Sequence, residues 1–447
     1  MEELFNFIDS SPLLSTVIGG LIVSLVGVSL AWTFGLFKKK PGTAADIKDS
    51  QTDFLNLNKK WASEKRKLIS KKAYEFNHTV LKNEEDFIND PEAMPLIAKK
   101  EWIPNLPIPI DGVEAKLVDE VPPSILPRTD ILPLTNENSR FTEYHEAVYE
   151  LIKPSVFLNN RHYRLQAISF EETKVQLSIS KEANFYFNKI DYGKTAELEF
   201  TDSIRSVNNL TSSGSPTNLV KLPSKSSQKF RCQLLNSLNK KEDFADTVIL
   251  GGVSTLTLIL TKEGTFRFLM HIRSSNQGYA ESTRHVVPAG EFQPLSEGNN
   301  FASDTNLLYN ILREYAEEIE GHEEFKGESN TRFDYQSNPI LKKYFEELDR
   351  GNFKIFYLGF GLDPFSLQGE HLTCAIFKED TFNRLFGDKV KTGNDEGEII
   401  SDSNIWGMEF TKENIEDQYM SNILSAGEAI LKLSERHLDF FKQQFLN

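Results

Sequence analysis

"REYAEEIEG", Arg313 to Gly321, is the stretch on which the fold turns. At helical spacing Glu314, Glu317 and Glu318 fall at i, i+3 and i+4, so three carboxylates share one face. Like charges that close repel unless a cation, a base or water screens them. The face is therefore either a solvated acidic patch or a place for a divalent metal. The preceding "SDTNLLYNIL" reads as the body of the same helix, capped by Ser303 or Asp304 and stopped by Gly321. Leu307, Leu308, Ile311 and Leu312 give it a core face.

Upstream, "VSTLTLILTKEGTFRFLMHIRS" reads as a hairpin turning at Lys262-Glu263-Gly264. On its second run Phe266, Phe268, Met270 and Ile272 alternate with Arg267, His271 and Arg273. A short strand follows in "TRHVVPAGEFQP", ending in a Pro-Ala-Gly turn. Downstream come two more strand-like runs, "KIFYLGFGL" and "HLTCAIF", and a final helix, "SNILSAGEAILKLSERHLDFFKQQF". Arg273 and Arg284 flank this sheet beside His271, His285 and Tyr279. Guanidinium forks suit phosphate oxygens and an aromatic ring can stack on a base, so Arg273, Arg284, His285 and Tyr279 are candidate ligand-binding residues. Ordinary surface or structural roles are the plain alternative for each.

The first third has a different character. Leu13 to Phe37 contains no charged residue and is followed at once by Lys38, Lys39 and Lys40. At about 1.5 Å per residue such a run crosses a bilayer core of about 30 Å. The basic flank predicts an N-terminus outside and the rest in the cytoplasm. Neither a basic leader nor a small-residue cleavage site marks it as a signal peptide. Gly20, Ser24, Gly27, Ala31 and Gly35 form a stripe of small side chains suited to homo-oligomeric contact between spans. "PGTAADIKDSQTDF" reads as a linker. Phe54 to about Lys82 reads as a basic helix, either resting on anionic headgroups or solvated in a stalk. Residues 91–134 are proline-rich, a spacer or strap. "HYRLQAISF", "KVQLSIS", "ANFYF" and "AELEF" read as strands of a small β-rich unit.

The 447 residues carry a net charge of −15, which argues against a general binder of double-stranded nucleic acid. The two cysteines, Cys232 and Cys374, have no metal-ligand spacing. The expected organisation is α+β: a short extracytoplasmic segment (1–12), a transmembrane helix (13–37), a basic helix and Pro-rich linker (38–134), a β-rich accessory domain (135–245) and a C-terminal domain (246–447).

Hairpin, strand, Pro-x-Gly turn and a helix with Arg-Glu-x-x-Glu-Glu together resemble the Nudix family over about 246–447. Gly290 matches the opening glycine of its signature box, and Arg313, Glu314, Glu317 and Glu318 match the helix. The resemblance implies an α/β/α sandwich with a mixed sheet. It also implies Mg²⁺ held by Glu314, Glu317 and Glu318, with Glu314 as a possible base and Arg313 as a structural ion-pair partner. The chain departs from the box in three places. Glu297 lies one residue too far from Gly290, fifteen residues rather than seven separate Glu297 from Arg313, and Glu320 is an extra residue before Gly321.

A span tied to such a domain also resembles the membrane–Nudix effectors of bacterial cyclic-oligonucleotide antiphage signalling (CBASS). That resemblance implies an inner-membrane protein whose cytoplasmic domain senses a nucleotide second messenger, oligomerises and disrupts the bilayer. Two other expectations stand beside it: a Mg²⁺-dependent hydrolase of a nucleoside diphosphate derivative, and a protein-binding scaffold.

Overall fold

The computed structural model describes residues 44–81, 84–135, 139–155, 157–210, 221–238, 240, 243–273, 283–295, 301–326, 332–387, 393–394, 397–400 and 406–446. The apolar run 13–37, with its small-residue stripe, lies outside them. Among the described residues no helix is long and apolar enough to cross a membrane.

Two helices open the described chain, α1 (Ala44–Glu64) and α2 (Arg66–His78), followed by short strands β1 (Ile108–Pro109) and β2 (Val113–Val118). Next come α3 (Tyr144–Leu151), β3 (Arg161–His162), β4 (Arg164–Phe170), β5 (Val175–Ser180) and β6 (Asn184–Phe185). The long α4 (Tyr186–Val207) and α5 (Lys229–Ser237) complete the middle region. Its short last strand, β7 (Ile249–Leu250), runs through Gly251 into β8 (Gly252–Leu260). Then follow β9 (Phe266–Phe268), β10 (Met270–Arg273), β11 (Arg284–Val286) and β12 (Ala289–Glu291). The helix of the opening quotation is α6 (Leu307–Glu314), continued by a π-helical turn, Tyr315–Ile319. After it lie α7 (Lys342–Asp349), β13 (Phe353–Leu362), β14 (Gly369–Lys378) and α8 (Glu379–Leu385). Strands β15 (Gly393–Asn394), β16 (Gly397–Ile400) and β17 (Met408–Glu409) precede α9 (Lys412–Met420), α10 (Ser425–Arg436) and α11 (Leu438–Gln443).

The large sheet runs β1-β13-β14-β8-β9-β17, with β12 also paired to β8. It is mixed: β14 lies parallel to β8, the other pairs antiparallel. Helices cover both faces. Thr257 on β8 meets the Tyr315 hydroxyl of the π-turn at 2.7 Å, while Cys374 on β14 feels Ser434 of α10. Tyr315 is fully buried and packs against Phe353, Phe377, Phe386 and Tyr344. One ring with a hydroxyl thus anchors the acidic turn to the sheet, apolar body inward and polar tip satisfied. The smaller sheet, β2-β5-β4-β7, shares the continuous strand path through Gly251. The larger of two clusters of buried side chains extends from Trp61 to Phe441 and takes in residues from both 135–245 and 246–447.

Several expectations are corrected. "AELEF" (196–200) is helical, within α4; its three buried apolar residues Ala196, Leu198 and Phe200 alternate as on a strand, but both intervening glutamates are buried too, held by arginines. The expected linker is helical from Ala44, and the basic helix breaks at Lys65 instead of running on to Lys82. Both halves pack into the body: Leu55, Asn58 and Trp61 of α1 and Arg66, Ile69, Ala73, Tyr74 and Phe76 of α2 are buried. The proline-rich stretch is a strap, adding β1 to the edge of the large sheet and β2 to the edge of the small one. Edge placement is where a residue such as Pro109, lacking an N–H, costs least. The helix cap before α6 is Asn306, whose side chain accepts from Leu308 N at 2.9 Å. Asp304 accepts from Leu295 N instead, at 3.0 Å. The final helix breaks at His437.

Candidate functional site

The box helix lies along the outer edge of β12. Asn310 donates to the Glu291 carbonyl at 2.9 Å, Arg313 donates to the Gln293 carbonyl at 2.6 Å, and Glu318 accepts from Ala289 N at 3.1 Å. Residues 310, 314 and 318 form one helical stripe, and the strand beneath is read at 291, 290 and 289. The stripe satisfies backbone groups that an edge strand otherwise leaves open. Gly290 sits under Glu314 so tightly that a Cβ there would lie 2.1 Å from the Glu314 carboxyl carbon. The atoms in the way are the mobile end of the Glu314 side chain, so a Cβ there would displace that carboxylate. Gly290→Ala is expected to swing the Glu314 carboxylate aside and cost under about 1 kcal/mol of stability, read by chemical denaturation.

The three box carboxylates take different partners. Glu314 lies over Gly290 and Glu318 bonds Ala289, so these two converge on the start of β12. Glu317 turns away and accepts from Phe325 N at 3.0 Å. The π-turn explains the divergence. Its i→i+5 geometry absorbs one extra residue between the glutamates and Gly321, which stops the helix at φ 71°. The surplus residue, Glu320, is buried and held by Lys343 and by the Tyr344 hydroxyl, the latter at 2.8 Å. Mg²⁺ commonly takes one or two carboxylates and keeps several waters. Glu314 and Glu318 are the two that lie together; Glu317 reaches the Phe325 backbone instead. Among the described residues only Glu143, His145 and Asp191 bring three ligand atoms within 4.8 Å of one another, and that group is away from the box.

Of the four candidate nucleotide-binding residues, the side chains of Arg284 and His285 are described. Arg284 donates to Asp417 at 2.7 Å and Gln418 at 3.0 Å, both on α9. His285 is buried, its Nε2 3.0 Å from Ser254 Oγ. Tyr279 lies outside the described residues, and of Arg273 only the backbone position at the end of β10 is described.

On the opposite face is a group that sequence reading missed. Glu370 (β14), Gly252 (β8) and Glu291 (β12) are in register across three strands and share a face. Gly252 has no side chain, and the Glu370 carboxylate fills the space above it, 2.8 Å from where a Cβ would be. Lys189 from α4 reaches in and binds both oxygens of Glu291 at 2.6 Å. Ser254 donates to Glu370 at 3.1 Å. Burial pushes the Glu370 carboxyl up to about 7, against the opposing pull of Lys189. Burial also works against the Lys189 charge, but Glu291 and Glu370 more than offset it and hold its pKa above the ordinary value. The signal was faint: a lone glutamate beside a glycine on each of two distant runs.

No family model matches the chain, and no curated protein matches it in sequence.

Proposed function

We propose that the protein is a membrane-tethered sensor whose Nudix-like α/β/α domain binds a nucleotide second messenger without consuming it, in the manner of the CBASS effectors it resembles. Binding drives oligomerisation through the stripe Gly20, Ser24, Gly27, Ala31 and Gly35, and the grouped spans disrupt the bacterial inner membrane. The observation that supports the binding part is that Glu314 and Glu318 lie together at the start of β12, over Gly290 and Ala289, where a Mg²⁺-bound phosphate would sit. Two carboxylates suffice to retain a hydrated ion; the third, which the resemblance assigns to the metal as well, accepts from Phe325 N. The membrane part rests on the uncharged run from Leu13 to Phe37 and its lysine flank.

The test is a thermal-shift screen of the full chain in detergent against cyclic di- and trinucleotides with Mg²⁺, followed by chromatography of the recovered nucleotide. A ligand at a hundred times its Kd should stabilise by about 2.7 kcal/mol, and the nucleotide should return intact. Cleaved nucleotide, with cleavage stopped by Glu314→Gln or Glu318→Gln, would establish the hydrolase instead. No shift with any nucleotide would favour the scaffold.

A further inference from the structure

The small sheet ends on one side at β2, and among the described residues no strand pairs with the outer edge of β2. The Val118 carbonyl accepts from Lys181 N, just past the end of β5. Residues 114, 116 and 118 therefore turn their backbone groups toward β5, and residues 113, 115 and 117 turn theirs outward. Val113 N donates to the Ile110 carbonyl, so the outward set is the Val113 carbonyl and both groups of Ala115 and Leu117. Side chains alternate as well. Glu114 and Lys116 are exposed on one face, while Val113, Ala115 and Leu117 lie on the face that packs inward.

An open edge is a template for another strand, and the order of charges selects the strand. A second β2 laid antiparallel and centred on Glu114 would set Glu114 against its own copy; centred on Lys116 it would oppose two lysines. Within β2, only the register centred on Ala115 places unlike charges opposite each other, Glu114 against Lys116 in both directions. The same register brings outward groups together: Ala115 N–H meets the Ala115 carbonyl of the copy, and Leu117 N–H meets the Val113 carbonyl. Lys174 lies 3.6 Å from Glu114, but both side chains are more than half exposed, a contact worth little and easily exchanged. We propose that β2 is a dimer interface, at which two copies of the chain join edge to edge across a two-fold axis through Ala115 to make one continuous sheet. The contact uses neither the box glutamates nor the spans, so it stands apart from the function proposed above.

The test is disulfide cross-linking of the full chain in detergent, with Cys232→Ser so that only the buried Cys374 remains. Two differently tagged chains, one Glu114→Cys and the other Lys116→Cys, are co-expressed, purified together and oxidised with a copper catalyst. In the proposed register these positions form a non-hydrogen-bonded pair with Cα atoms about 4.5 Å apart, within disulfide reach. The second Glu114–Lys116 pair survives to hold the register. A cross-linked dimer is expected from the mixture and should be lost when either variant is expressed alone, because each position stands about 7–8 Å from its own copy. Adding Lys116→Glu to the Glu114→Cys chain sets two glutamates against each other and should cut the yield several-fold. No cross-link in the mixture, equal cross-linking in the single variants, or a yield untouched by Lys116→Glu would overturn the proposal. Assembly through the spans would persist in each of those outcomes, so the two readings fail separately.

Discussion

Replacing Arg66 with Leu is expected to destabilise the fold by about 3–5 kcal/mol, measured by urea denaturation. Arg66 opens α2, is 5% exposed, and bonds Glu197 at 2.8 Å and Asp363 at 3.0 Å. Its guanidinium also lies over the Phe365 ring at 4.7 Å. Lys194 completes the group, 2.7 Å from Glu197, giving two cations for two anions. Removing one member leaves a buried carboxylate with too little opposing charge, and that penalty, not the worth of one pair, sets the size of the effect. Asp363 retains the Phe365 and Ser366 backbone donors, so most of the cost falls on Glu197. Burial alone would raise the Glu197 pKa, but Lys194 and Arg66 bring it down to about 2. Its contribution is therefore present above about 4.5 and is lost as pH falls through about 2. The Leu variant should lose much of that acid dependence. A change under about 1 kcal/mol, the size seen for exposed pairs, would show that water reaches the group.

The second large effect depends on pH. Glu370→Gln should stabilise the protein relative to wild type at pH 8.5 and do so far less at pH 5. The sign follows from the folded pKa of about 7, raised above 4.5 by burial. A carboxyl with a raised folded pKa favours the fold fully below its unfolded value and loses that contribution as pH rises through 7. Wild type therefore carries a cost at alkaline pH that the neutral amide avoids, at most about 3 kcal/mol for a shift of this size. The check is the difference in melting temperature between variant and wild type across that range. A flat difference would mean that Glu370 titrates like an exposed acid.

How much of this was legible in the sequence depends on the range of the interactions involved. The hairpin, the box helix, its glycine stop and the two late strands follow from periodicity and turn residues, which are local. Arg313, expected as an ion-pair partner that orients the glutamates, donates to the Gln293 carbonyl. What the sequence hid lies across long separations. The role of Glu197 depends on Arg66, and the alternating pattern of "AELEF" looks like a strand until its glutamates are known to be buried and paired. Lys189 and Glu291 are both unremarkable charges until the fold brings them together. The π-turn is a further case. One surplus residue in a helix can shift its end or widen a turn, and only packing around Tyr315 decides between them.

The first helix bears on how force enters the molecule. From Gln51 onward α1 is fastened: Gln51 accepts from Leu134 N, Thr52 donates to the Leu151 carbonyl, and Asn58 accepts from Arg205. Leu55 completes a small second core with Leu132, Phe141, Ala147, Leu151 and Leu198. Such a rod is a splint and not a leash. A twist applied at Gln51 would be carried through Leu55 to Leu198 on α4.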